Sequence, residues 1–242
     1  FLMFNPLDFG GKTHELSWVA ESAGRWFKIA AEENLRVGNF AHAKLLYQKS
    51  VRNFRKSILE DGIAREAEIM SLLEDHTRAA ELYKELSSEF TADWRREYYL
   101  GLSEIELGEI YVFHNMHTNA FDCFKRADGL LAQAEEETGK YEALTLQSRV
   151  CFFRRRYSVA RALIEKGFVS RGRMNFEGAI KEFESAESAF VEFSKLTSLS
   201  ESEKELLRFL SVIARTQMLI TKSIMLKDKG MKEDSLAFLQ NA

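Results

Sequence analysis

Few residues in this chain have the types and spacing for chemistry. His114, His117 and Cys123 lie within ten positions of one another. Two imidazoles and a thiol are three of the four ligands that a tetrahedral zinc site needs. No fourth ligand stands beside them. The alternative is that His117 and Thr118 serve a turn and that Cys123 is a small buried hydrophobe. The incomplete ligand set favours that alternative, so no metal and no cofactor is expected. Cys151, between Val150 and Phe152, reads as an inert core thiol. There is no Gly-rich phosphate loop after a strand, no G-x-S-x-G elbow, no H-E-x-x-H and no C-x-x-C, so the expectation is a protein that is not an enzyme.

The second chemical feature is charge. Arg149, Arg154, Arg155, Arg156, Arg161, Lys166, Arg171 and Arg173 share one stretch with a single acid, Glu165, and a Glu-rich stretch follows from Met174 to Leu207. Adjacent blocks of opposite sign can neutralise each other on a packed surface. The alternative is a basic patch for nucleic acid, acidic lipid or an acidic partner, with Phe152, Phe153, Tyr157 and Phe168 interleaved. At helical spacing those aromatics read as core first.

The elements that must position these residues are helices. The 242 residues include one proline, 45% apolar and 29% charged residues, and 34 basic against 37 acidic side chains for a net charge of −3. That balance excludes a charge-driven disordered chain and a general nucleic-acid or membrane-surface binder. Two cysteines form no disulfide framework and point to a reducing, cytoplasmic setting. The most apolar late stretch, Phe209 to Leu226, is interrupted by Arg215 and Lys222, so no membrane span is expected. The chain starts without Met and stops directly after a helical pattern, which reads as trimming at both ends.

Punctuation by Gly, Asn and Asp predicts eleven helices and no strand. The first covers 13–37 and the second 40–59. A break at Asp61-Gly62 precedes a third that ends at Leu73. The fourth runs 76–89, and the fifth, capped by Thr91 or Asp93, reaches Phe113. After a break over 114–119 the sixth ends near Glu137. The seventh covers 141–155 and the eighth 157–171. The ninth extends from the turn at 172–175 to Leu196. The tenth runs from a Ser200/Glu203 capping box to Lys229, and a short eleventh ends the chain. Residues 1–12 read as an N-terminal extension and 13–242 as a single repeat domain.

Internal repetition organises these helices. Ala43, Tyr47 and Ser50 recur as Ala79, Tyr83 and Leu86, as Ala120, Phe124 and Ala127, and as Ala179, Phe183 and Ala186, with Ala160 and Ile164 a weaker copy. A small residue lets two helices approach, the aromatic one turn later fills the layer, and the next small residue admits the following pair. The step from Ala160 to Ala179 is half a period, so one helix is expected to play two roles.

These residues resemble the tetratricopeptide repeat (TPR). Leu107-Gly108-x2-Tyr111 followed by Ala120, Phe124 and Ala127 is the fullest match, with Glu104 where the family's leading Trp stands. Gly38-Asn39-Phe40, Ala43 and Tyr47 match the second-helix half, as do Asn175, Phe176 and Ala179. The resemblance covers Gly24 to Ala189. No proline closes any repeat, and the spacing drifts above the regular period of about 34. That is similar to the longer-helix TPR-like group that includes the soluble NSF attachment proteins (SNAPs).

The resemblance implies an all-α, right-handed superhelix of about five helix pairs whose first helices line a concave groove. It assigns Glu32, Glu68, Glu109 and, in the fourth repeat, Arg149 to that groove, with Lys28, Arg65, Phe113 and Phe152 nearby. TPR clamps for C-terminal carboxylates place Asn and Lys there, so that ligand class is not implied. A Glu row with flanking Phe suits a basic or amphipathic segment; equally, Glu is a good exposed helix former. The function implied is a non-enzymatic protein- or peptide-binding scaffold or adaptor. The alternatives are a SNAP-like adaptor that recruits an ATPase, for which no matching acidic-leucine tail is found, and a nucleic-acid binder using Arg154, Arg155, Arg156, Arg161, Arg171 and Arg173. Uncapped end repeats would also leave an apolar face for self-association.

Overall fold

The computed structural model describes residues 13–54, 60–91, 93–196, 199 and 201–240. The described residues are all-α: α1 Thr13–Arg36, α2 Phe40–Phe54, α3 Glu60–Leu72, α4 His76–Glu89, α5 Trp94–Phe113, α6 His117–Gly139, a short 3₁₀ turn Glu142–Leu144, α7 Thr145–Gly172, α8 Phe176–Ser194, α9 Glu201–Asp228 and α10 Lys232–Gln240. Backbone packing divides the chain into two compact units, Phe1–Thr91 and Ala92–Ala242. The expected extension 1–12, the end of the second helix at 55–59 and the Ser200 cap lie outside the described residues.

One turn recurs at the heart of each helix pair. Gly38, Glu74, Asn115, Met174 and Gly230 all have φ between 56° and 80°. The next residue donates its backbone N–H five positions back, in Asn39→Asn34, Asp75→Met70, Met116→Tyr111, Asn175→Ser170 and Met231→Leu226. This is the Schellman closure of a helix. The carbonyl of that same residue then accepts the first bond of the following helix, from Ala43, Ala79, Ala120, Ala179 or Ser235. Where it is Asp75 or Asn175, the side chain also caps, accepting from the N–H of Arg78 or Gly178. The pairs are therefore α1/α2, α3/α4, α5/α6, α7/α8 and α9/α10.

The pair interface follows from small against large. A Cβ on Gly108 would lie 2.8 Å from the Phe124 ring, one on Gly101 2.7 Å from Leu131, one on Gly167 2.6 Å from Phe183 and one on Gly24 2.7 Å from Phe54. Gly101 meets Leu131 while Gly108 meets Phe124, so α5 and α6 run antiparallel. The 16-residue spacing of Gly108–Phe124 and Gly167–Phe183 returns as Ala31–Tyr47 and Ala67–Tyr83, all four buried. In the second unit Ile164, Phe183, Phe190, Leu207 and Ala214 join one core across α7, α8 and α9.

Several helix boundaries differ from the sequence reading. Asp61-Gly62 does not break the chain. Gly62 is buried inside α3, where a glycine costs about 1 kcal/mol relative to Ala. The expected seventh and eighth helices are one, α7. Nothing between Arg155 and Tyr157 can stop a helix, and Cys151, Ser158 and Ala160 are buried along it on both sides of that point. The helix expected to reach Leu196 ends at Ser194, and α6 starts at His117, inside the expected break.

Candidate interaction surface

In the first unit the groove residues are laced together. Lys28 of α1 donates to Glu68 of α3 at 3.1 Å, and Arg65 donates to the same Oε2 at 2.9 Å. Lys28 is also 3.9 Å from Glu32. Burial pushes the Glu68 carboxyl up, but Lys28 and Arg65 together outweigh it and hold it below the usual carboxylate range. Glu32 itself is half-exposed.

In the second unit Glu109 of α5 is equally engaged. Its two oxygens accept from Arg161 Nη2 at 2.8 Å and Nε at 3.1 Å, and Oε1 accepts from the Tyr157 hydroxyl at 2.9 Å. The fork geometry is the strong form of an Arg–carboxylate pair. Burial, with the Glu109 charge, pushes the Tyr157 hydroxyl up. The Arg161 guanidinium lies 5.1 Å from the Phe124 ring centre and 3.9 Å from Glu165. Glu165 is fully buried. One oxygen is 2.7 Å from His117 Nδ1, and the other has no hydrogen-bond partner. Burial raises its carboxyl, and Arg161 and His117 only partly offset that.

The Glu row is thus not a free anionic strip, since Glu68 and Glu109 are both spent on ion pairs between first helices. The fourth row position also needs correcting. The small residue that α7 presents to α8 is Gly167, which makes Phe168, not Arg149, the equivalent of Glu109. Phe168 stacks on His117 at 4.4 Å, meets Phe183 edge-on at 5.4 Å and lies under Arg171 at 4.9 Å. Arg149 is exposed far up α7, and Phe152 is half-buried beneath Arg156 at 5.0 Å. The repeated 16-residue spacing was the signal for Phe168. For Glu165, the signal was its being the only acid in the basic block.

Most of that block is engaged too. Arg155 pairs with Asp128 and Glu135 of α6 at 2.9 and 3.0 Å, and Arg161 pairs with Glu109. Arg171 donates to Gln217 of α9 at 2.9 Å, and Arg156 lies between the rings of Phe152 and Phe193. Arg154 is half-buried beside Phe153, and Arg173 is exposed. Neutralisation comes mainly from α5 and α6. Lys166 pairs with Glu182 of the acidic helix that follows, at 2.7 Å.

The three metal-like residues are not brought together. His114 is exposed and His117 serves Glu165. Cys123 is buried beside Arg126, with its thiol pushed up to about 11 by burial and by Glu104. Burial likewise pushes Cys151 up to about 12. Among the described residues one helix segment, Glu203–Asp228, is long and apolar enough to cross a membrane. Its Leu207, Leu210 and Ala214 are core, and its Lys222 donates to Glu184 of α8 at 3.0 Å.

Fold and surface together define an all-α protein of consecutive helix pairs, compatible with a helical-repeat fold. No family model, curated protein or solved structure matches the chain.

Proposed function

We propose that the chain is a TPR-like scaffold that binds a protein or peptide segment without chemistry, along a concave face lined by the first helices of its pairs. The observation that supports this reading is the recurrence of one turn and one small-against-large contact from pair to pair. Stacked pairs of this kind present extended surfaces, and binding is the work such surfaces do. Leu72 and Phe113 stand at the same register, five residues after Ala67 and Gly108, and are 59% and 82% exposed. The same position holds Arg36 in α1 and Gly172 in α7, so the large apolar side chains that a partner would cover stand on α3 and α5. With Glu68 and Glu109 engaged, apolar contact carries the binding and Glu32 adds charge at the margin.

The test is affinity capture by the tagged chain followed by mass spectrometry, repeated with Leu72→Ser and Phe113→Ser. Both sites are exposed, so the fold is kept. A retained partner should be depleted about tenfold or more by one of the variants, the size of a contact worth roughly 1.4 kcal/mol. Capture of nothing above a mock control would overturn the proposal.

A further inference from the structure

We infer that the N-terminal half of α9 is a docking seam for an amphipathic helix of a partner that carries carboxylates along one flank. This rests on the binding role proposed above and names a surface for it on the side of α9 that α10 covers farther along.

The argument starts from length. At about 1.5 Å per residue, α9 with its 28 residues is about 42 Å long and α10 with its nine only about 14 Å. Along α9, Phe209, Val212, Thr216, Leu219 and Ser223 alternate spacings of three and four, the pattern by which one helix seats another. The C-terminal end of this seam is covered. Leu219 and Ser223 are buried, Ser223 bonds to Ser235 of α10, and Phe238 packs on the same core. The N-terminal end is open, with Phe209 62% and Val212 59% exposed and Leu206 beside them. On the other side of the same turns Leu207, Leu210 and Ala214 are core, so the seam is held rigidly.

Charge selects the occupant. Arg208 and Arg215, seven residues apart, flank the seam on one side. Both are exposed, and no ion pair within 4 Å is seen for either among the described residues, although the Arg208 charge reaches Glu201 and helps to lower its carboxyl. In an antiparallel self-pairing of α9 this flank would meet itself, setting like charges together. An anionic bilayer would press against Glu205, which lies on the seam line one turn before Phe209. A partner helix with Glu or Asp along one flank satisfies both arginines and covers the three apolar side chains.

The experiment uses the full chain and two labelled 21-residue designed helices with the same leucine seam, one with Glu and one with Lys on the flank. Fluorescence anisotropy should show saturable binding of the Glu peptide and binding of the Lys twin about tenfold or more weaker. Phe209→Asp with Val212→Asp should abolish binding, and Arg208→Glu with Arg215→Glu should invert the preference. Circular dichroism should show unchanged helix content in both variants. Equal binding of the two peptides, no binding up to about 1 mM, or insensitivity to the Asp variant would each overturn the inference. So would sedimentation or vesicle flotation showing that the seam is buried in a dimer or in anionic lipid. A captured partner that survives the Asp variant removes this seam and leaves the binding role standing, whereas capture of nothing removes the binding role itself.

Discussion

Two glutamates, Glu165 fully buried and Glu68 partly exposed, should respond to pH in opposite senses. The Glu165 carboxyl is raised by burial, with Arg161 and His117 only partly compensating. A raised folded value means that the native state holds the proton more tightly than the unfolded chain does. The stability this gives is complete below the ordinary glutamate range and is lost as pH rises through the raised value. The Glu68 carboxyl is depressed, because Lys28 and Arg65 outweigh its burial. Its contribution is present above the ordinary range and lost as pH falls through the depressed value. Melting temperatures of the wild type, Glu165→Gln and Glu68→Gln between about pH 3 and 7 test both signs. Relative to Glu165→Gln, the wild type should lose ground as pH rises; relative to Glu68→Gln, it should gain. Parallel curves in either comparison would refute the corresponding assignment.

The shared turn makes predictions at the level of the element. Five turns require a left-handed residue, yet two of the five positions hold Glu74 and Met174. A side chain there costs about 1 kcal/mol or more, partly offset in a glycine variant by the freer unfolded chain. Glu74→Gly and Met174→Gly should therefore each stabilise by about 0.5 kcal/mol, read from chemical denaturation midpoints. Gly108→Ala should do the reverse. Its Cβ would sit 2.8 Å from the Phe124 ring, and overpacking of this kind costs about 1–3 kcal/mol.

These turns also show what was legible in advance. Gly38-Asn39 and Asn175 announce themselves by residue type, and the Ala–aromatic spacing marked the second helix of four pairs. Glu74 and Met174 gave no such warning, because the constraint there is met by the surrounding helices rather than by the residue. The misread half period around Ala160 has a simple cause. Ala160 lies seven residues before Gly167 and faces the same neighbour, just as Gly24 precedes Ala31 and Gly101 precedes Gly108. A second small residue on one helix therefore looked like a separate helix. The ion pairs were out of reach for another reason. Glu109 and Arg161 are 52 residues apart, and only the stacking of α5 on α7 brings them to 2.8 Å. Exposed carboxylates and engaged ones look alike in a sequence, and so the Glu row read as a surface.

At the scale of the whole molecule, the division between Thr91 and Ala92 carries an energetic consequence. The larger unit has a continuous core from Ile164 through Phe183 and Phe190 to Leu207 and Ala214. It also has its own charge lacing, Glu109 to Arg161 and Arg155 to Asp128 and Glu135. The smaller unit has its own buried set, Ala31, Tyr47, Phe54, Ile69, Tyr83 and Leu86, and its own lacing through Glu68. Folding buries a growing share of chain surface with size, from about 60% near 60 residues to about 70% near 150. The larger unit should therefore be the more stable. A fragment of residues 93–242 should unfold cooperatively, with a melting temperature within a few degrees of the last transition of the full chain. The full chain should show an earlier transition that the fragment lacks. Limited proteolysis should nick first near Thr91. A fragment that melts without cooperativity, or a full chain with a single transition well above that of the fragment, would show instead that the two units depend on each other for stability.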